Sequence, residues 1–162
     1  MAVVTTKSTA VTAADVLDKV DRRIARARLL TSIGFVNKAA ADSNNSVYRF
    51  ARIPSSAIIR SITINSDAAI TGGTAFQLAV YDATNANGGA AIGNLTSFGA
   101  AADLSTAGIK TLRPAPADVE KSIWTLLAQP VTDPGKLIDI VLVATASGST
   151  AANISVDVHW TE

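Results

Sequence analysis

From residue 30 onward, apolar and polar residues alternate in short runs broken by turn residues, the period-two pattern of strands with one buried and one open face. Leu30 to Val36 is the first such run, ended by the polar stretch Asp42-Ser43-Asn44-Asn45-Ser46; Val47 to Ile53 is the next, stopped by Pro54. Ala57 to Asn65 predicts a strand with Ile58, Ile62 and Ile64 on one face, Arg60 between them, and Ile59, Ser61 and Thr63 on the other. Gly72-Gly73 predicts a tight turn into a consecutive strand, where Phe76, Leu78 and Val80 alternate with Gln77, Ala79 and Tyr81. Leu137 to Thr145, nearly all apolar and interrupted only by Asp139, predicts a central strand after the turn Asp133-Pro134-Gly135. The last run sets Ile154, Val156, Val158 and Trp160 against Ser155, Asp157, His159 and Thr161. Short strands punctuated in this way predict a mainly β fold, a sandwich or a barrel.

Two segments follow a helical period instead. Thr12 is a candidate N-cap with Asp15 three residues on, and Val16, Leu17, Val20, Ile24 and Ala27 recur at helical spacing, predicting a helix over about 13–29. Asp15 to Lys19 and Asp18 to Arg22 are favourable i,i+4 pairs, and Arg22, Arg23, Arg26 and Arg28 place positive charge toward the C-terminal end, where the helix dipole favours it. Residues 1–11 read as an extended tail that orders on contact. The chain thus divides into an N-terminal arm, 1–30, with an amphipathic basic helix, and a β domain, 31–162. The second helical segment, near 117–129, starts at Pro116, has Asp118 and Glu120 in its first turn, sets Val119, Ile123, Leu126 and Leu127 on one face, and ends at Pro130. Asp82 to Gly99, rich in Asn, Gly and Ala, reads as a long surface loop with little core content, and 146–152 as another loop.

A length of 162 residues suits one domain with an appendage. With 48 % apolar and only 17 % charged residues, few groups remain to keep a lone monomer in solution, which favours burial against partners. Charge is unevenly spread. Residues 1–60 hold ten Lys or Arg against four Asp, and the remainder four against nine Asp or Glu, so the first part lies near +6 and the rest near −5. A basic arm suits an acidic surface on a neighbouring subunit, a lattice or nucleic acid, while the plainer alternative is an ordinary solvated helix.

The chemistry-bearing residues are sparse. No cysteine is present and there is one histidine, so the usual zinc ligand spacings cannot be met, and neither disulfides nor thiolates contribute. Ser155, Asp157 and His159 share a strand face, but alternation alone produces such a row, whereas a catalytic triad needs convergent geometry. Gly72-Gly73 and Gly88-Gly89 lack the lysine and helix start of a phosphate cradle, and the spacing around Asp82, Asn85 and Asn87 lacks the closing carboxylate of a calcium loop. The arm arginines have no interleaved aromatics, leaving only sequence-independent phosphate contact and making nucleic acid a poor partner. No cofactor and no enzymatic activity are expected. The first residues lack a basic segment followed by an apolar one, and no apolar stretch approaches the roughly 18 residues of a membrane helix, so a soluble, unsecreted chain with no membrane partner is expected.

One ordered set of short motifs is informative. Arg52-Ile53-Pro54-Ser55-Ser56-Ala57-Ile58-Ile59-Arg60-Ser61-Ile62 is followed by Ala69-Ile70-Thr71-Gly72-Gly73-Thr74 and Leu78-Ala79-Val80-Tyr81-Asp82, then by Ile123-Trp124-Thr125-Leu126-Leu127, Asp133-Pro134-Gly135 and Ile138-Asp139-Ile140-Val141-Leu142. Over roughly residues 50–145 this order resembles small structural proteins of tailed bacteriophages, the head decoration or cement proteins. The resemblance implies a β-sandwich, jelly-roll-like body on the outside of the capsid, in the virion and assembled in the host cytoplasm. It further implies that the chain stabilises the head by bridging subunits of the major capsid protein lattice or sister copies, as a homo-oligomer with a trimer preferred. The arm lies outside the matching part. Its own charge and periodicity nominate Val16, Leu17, Lys19, Val20, Arg22, Arg23, Ile24, Arg26 and Arg28 as assembly contacts, with Asn85 and Asn87 from the loop. The alternative is a binding module, a head-fibre or tail-associated receptor- or carbohydrate-binding protein, which needs Trp124 or Trp160 on an open groove.

Overall fold

The computed structural model describes residues 28–83, 90–129 and 131–162. The helix expected over 13–29 therefore lies almost wholly outside the described residues; its last two positions, Arg28 and Leu29, are exposed and belong to no regular element. Eight strands follow: β1 Leu30–Lys38, β2 Ser46–Pro54, β3 Ile58–Ser66, β4 Ala75–Asp82, β5 Ala91–Asn94, β6 Gly108–Leu112, β7 Leu137–Ala146 and β8 Ala152–Thr161. They form two four-stranded antiparallel sheets, in the orders β1-β8-β3-β6 and β2-β7-β4-β5. The mainly β sandwich expected from the alternation is what the chain adopts.

The core lies between the sheets. Alternate residues of the longest strands supply it: Ile138, Ile140 and Leu142 from β7, and Ile154, Val156 and Val158 from β8, all with no exposed surface. Each such side chain contributes about 1.5–3 kcal/mol through burial, before the entropy of ordering is counted. β7 is the central strand it was read as, flanked by β2 and β4.

Four expectations need correction. Ile59, expected on the face opposite Ile58, Ile62 and Ile64, is buried together with Ile62 and Ile64, while Ile58 is only half-buried. The cause is a bulge: Ile59 pairs with Trp160 and Ser61 with His159, so Arg60 is an extra residue that reverses the faces on its N-terminal side. The Gly72-Gly73 turn exists, with the Gly73 amide bonded to the Ile70 carbonyl at 2.7 Å and Gly72 at φ +79°, yet β3 and β4 do not pair as neighbours. The turn instead carries the chain from one sheet to the other.

The segment 82–99 contains more than a loop. β5 pairs with β4, and a 3-10 turn over Thr96–Phe98 buries Leu95 and Phe98. Its core residues were hidden by the Asn- and Gly-rich stretch before them. The helix near 117–129 is a 3-10 turn over Pro116–Asp118 and, separately, a single α turn, α1, over Ile123–Leu126. Ser122, in extended conformation, caps α1 by accepting from the Thr125 amide. The amides of Ile123 and Trp124 bond to the carbonyls of Ala57 and Ser55, so the chain after β2 satisfies the start of α1 where a preceding helical turn would otherwise have to be. Val119 is consequently exposed and shares no face with buried Ile123.

Candidate assembly surfaces

β1 decides what the first sheet shows outward. Both faces of this strand carry two large apolar residues, Leu30 and Val36 on one and Ile33 and Phe35 on the other, so alternation alone does not choose. Gly34 does. A Cβ at Gly34 would fall 2.1 Å from the Phe50 carbonyl oxygen, so its face must lie against β2, next to the bulge at Phe50. Ile33 and Phe35 therefore point outward, 73 % and 61 % exposed.

The pairing register then fixes three rows on this outer face. Thr31, His159 and Ser61 make the first; Ile33, Asp157, Thr63 and Thr111 the second; Phe35, Ser155, Asn65 and Ile109 the third. Large apolar side chains stand at the two edges, since Ile109 on β6 is 71 % exposed, and short polar ones lie between. The floor is tied by hydrogen bonds between Thr31 Oγ1 and His159 Nδ1 at 3.1 Å and between the Thr63 and Thr111 hydroxyls at 3.4 Å. Asp157, in the middle row, has no hydrogen-bond or ion-pair partner among the described residues. Ser155, Asp157 and His159 point outward at intervals of about 7 Å along β8 and do not converge as a triad.

The outer face of the second sheet is organised differently. Asp139, the one charge in the β7 run, is buried opposite Arg52 and Tyr81. Arg52 donates to it from two nitrogens, Nε to Oδ1 at 2.7 Å and Nη2 to Oδ2 at 3.1 Å, and Arg49 Nη1 donates to Oδ2 at 2.6 Å. Burial pushes the Asp139 carboxyl upward, but the hydrogen bonds and charges of Arg52 and Arg49 outweigh it and hold the group below the usual carboxylate range. Arg52 is raised in turn by the hydrogen bond and charge of Asp139. The Arg49 guanidinium also stacks 5.3 Å from the Tyr81 ring centroid, and Lys136 Nζ reaches Asp82 Oδ2 at 2.7 Å. The charged groups of this face are paired with one another, and Leu137 and Val47 are the apolar residues it exposes. Arg49 and Arg52 are the natural counter-ions for a carboxylate inside an apolar run, and that is the signal by which the sequence could have revealed it.

Lys38, at the end of β1, is also buried and was not singled out in the sequence. Its ammonium donates to the carbonyls of Ala39, Gly148 and Thr150 at 2.9, 3.3 and 3.2 Å, which ties β1 to the 146–152 loop.

Of the residues nominated as assembly contacts, only Arg28 falls among those described, exposed at the entry to β1; Val16, Leu17, Lys19, Val20, Arg22, Arg23, Ile24, Arg26, Asn85 and Asn87 lie outside them. Both tryptophans are buried. Trp124 Nε1 donates to the Val131 carbonyl at 2.8 Å and Trp160 Nε1 to Ser32 Oγ at 3.4 Å, so neither offers a stacking platform. Asp118 is held below its ordinary value by hydrogen bonds from Lys121 and Ser97, which makes it a tie between loops.

No protein-family model and no curated protein matches this chain. Solved structures do. A chain of the cyanophage Pam1 capsid asymmetric unit superposes with a TM-score of 0.51 at 19 % identity, over 83 % of this chain and 85 % of that one. A chain of the capsid of Ralstonia phage GP4 gives 0.56 at 12 % identity, over 83 % and 84 % respectively. At such identities the likeness is one of fold, and it spans more than four-fifths of each chain.

Proposed function

We propose that this chain is a structural protein of a tailed-phage virion, a head decoration or cement protein that binds the outside of the capsid lattice and stabilises it by bridging neighbouring subunits. The observation that carries the reading is the shared fold with chains of two phage capsids over most of each chain's length. The motif order over residues 50–145 points the same way independently. The strand orders β1-β8-β3-β6 and β2-β7-β4-β5 support reading the sandwich as jelly-roll-like, an eight-stranded architecture that capsid domains use. The chain acts without chemistry, and the basic arm of residues 1–30 is its reaching element. Contacts of modest strength repeated over a lattice add through effective concentration, so no single one need be strong. A trimer is the preferred oligomer in this reading.

The test compares particles lacking the protein with particles to which it has been restored, under heat or osmotic shock. Restoration should raise survival, and equal survival would sink the reading. Deleting residues 1–29 should abolish particle binding and leave the β domain folded; binding that persists removes the arm from the mechanism.

A further inference from the structure

We propose that residues 13–27 pack as a helix on the outer face of the first sheet of their own chain, filling the lane between the β1 and β6 edges. Ile33 and Phe35 stand on one edge and Ile109 on the other, with Thr63, Asn65, Ser155 and Asp157 between them. Three inter-strand spacings make the lane about 14 Å wide, and a helix with its side chains is about 10–12 Å across.

The segment fits in period as well as width. On a helix, Val16, Leu17, Val20, Ile24 and Ala27 fall on one side and Lys19, Arg22 and Arg26 on the other. Ile24, Val20 and Val16 are then spaced about 6 Å apart, and the three rows of the sheet about 7 Å apart. With Arg28 and Leu29 as the connection, a length that helix-to-strand links use, the helix runs back over the strand it precedes. Ile24 then lies over the Thr31 row, Val20 over the Ile33 row, and Val16 with Leu17 between Phe35 and Ile109. Arg23, which flanks the stripe between Ile24 and Val20, lies within the length of its own side chain of the row holding Asp157, the carboxylate left without a partner among the described residues. The consequence is a fixed orientation: the apolar stripe is spent on the chain's own body, and Lys19, Arg22 and Arg26 face outward together.

This rests on reading residues 1–30 as a contact arm, and it can fail separately. The chain has no cysteine, so an introduced pair reports proximity without background. The full-length double variant Val20→Cys with Thr63→Cys should form an intramolecular disulfide at least about tenfold faster than Val20→Cys with Thr145→Cys, whose second site is on the exposed outer face of β7. The rate should not change on dilution. Equal rates for the two pairs overturn the proposal. A product that is only intermolecular and fades on dilution overturns it too, and gives the face to a second copy. Adding Phe35→Ser and Ile109→Ser should slow the first pair to the control rate with the circular dichroism spectrum of the β body unchanged; an unaltered rate counts against it. If deleting residues 1–29 abolishes particle binding but the Val20–Thr63 pair fails to link, the contact-arm reading stands and this proposal falls; if the pair links and the deletion leaves binding intact, the reverse holds.

Discussion

The two outer faces of the sandwich are built from the same number of strands and solve opposite problems. On the second sheet, a buried carboxylate is met by two guanidiniums and a tyrosine ring, so its polar groups are matched within the chain. On the first sheet, three large apolar side chains are left in solvent around a polar floor whose central carboxylate is unmatched among the described residues. A face whose charges are already paired has little to offer a partner, whereas one that exposes isoleucine and phenylalanine gains by being covered. The difference separates a face whose charges are satisfied by its own side chains from a face that gains by being covered.

The largest test of that difference is at Gly34. Gly34→Val drives side-chain atoms into the Phe50 backbone, so β1 must leave its place or turn over; the expected loss is about 3 kcal/mol, read as a lower denaturant midpoint. A variant that unfolds like the parent would mean that β1 is not held against β2.

Next in size is Asp139→Ala, which takes from Arg49 and Arg52 the carboxylate that both of them bind. Removing one member of a buried pair costs about 3–5 kcal/mol, but Arg52 is half exposed and Arg49 a quarter, so water screens them and about 2 kcal/mol is expected. The same group sets an acid limit. Its folded-state affinity for protons is depressed, so its contribution is present above the ordinary carboxylate value near pH 4 and is lost as pH falls below it. Asp139→Asn should flatten this part of the stability–pH curve. An unchanged acid slope would place the sensitivity elsewhere.

At the alkaline end, the Tyr48 phenol is pushed up to about 12, first by burial and then by its hydrogen bond to Asp42 and the charge there. A phenol raised in the folded state stabilises it below pH 10 and loses that contribution as pH climbs from 10 to 12. Tyr48→Phe should remove the alkaline loss while leaving the acid one, since Tyr48 faces the core and not the Asp139 cluster. The smallest effect is expected for Phe35→Ser in the chain lacking residues 1–29: unfolding of the β body should shift by no more than about 0.5 kcal/mol, because the side chain stands outside the core of the sandwich. A loss of several kcal/mol would show Phe35 to be a structural residue.

Strand-by-strand alternation made the sandwich legible, because β8 has one strongly apolar face that admits no other register, and the nearly continuous apolar run of β7 marks a strand buried on both sides. Where the reading failed, a local rule was overridden by something distant in sequence. A bulge at Arg60 inverted the face of Ile59, and no propensity marks that residue as extra. The α1 segment was cut to one turn because carbonyls of Ser55 and Ala57 took its first amides. Of the two outer faces, the Asp139 cluster was half visible as a charge in an apolar run. The exposed apolar residues of the first sheet were invisible, since choosing between the two sides of β1 needs the distance from Gly34 to a strand it does not pair with.

The Lys38 latch bears on how the molecule carries load. Tension applied to the chain ahead of β1 would enter at Leu30, whose partner Trp160 lies near the end of β8. A pull away from the sheet opens the β1 pairs one after another from that end, and a pull along the strand strains all nine together. In the peeling direction the last restraint is the ammonium of Lys38, gripped by the carbonyls of Ala39, Gly148 and Thr150. Such a grip stops a tear from running out of β1 into the loop behind it.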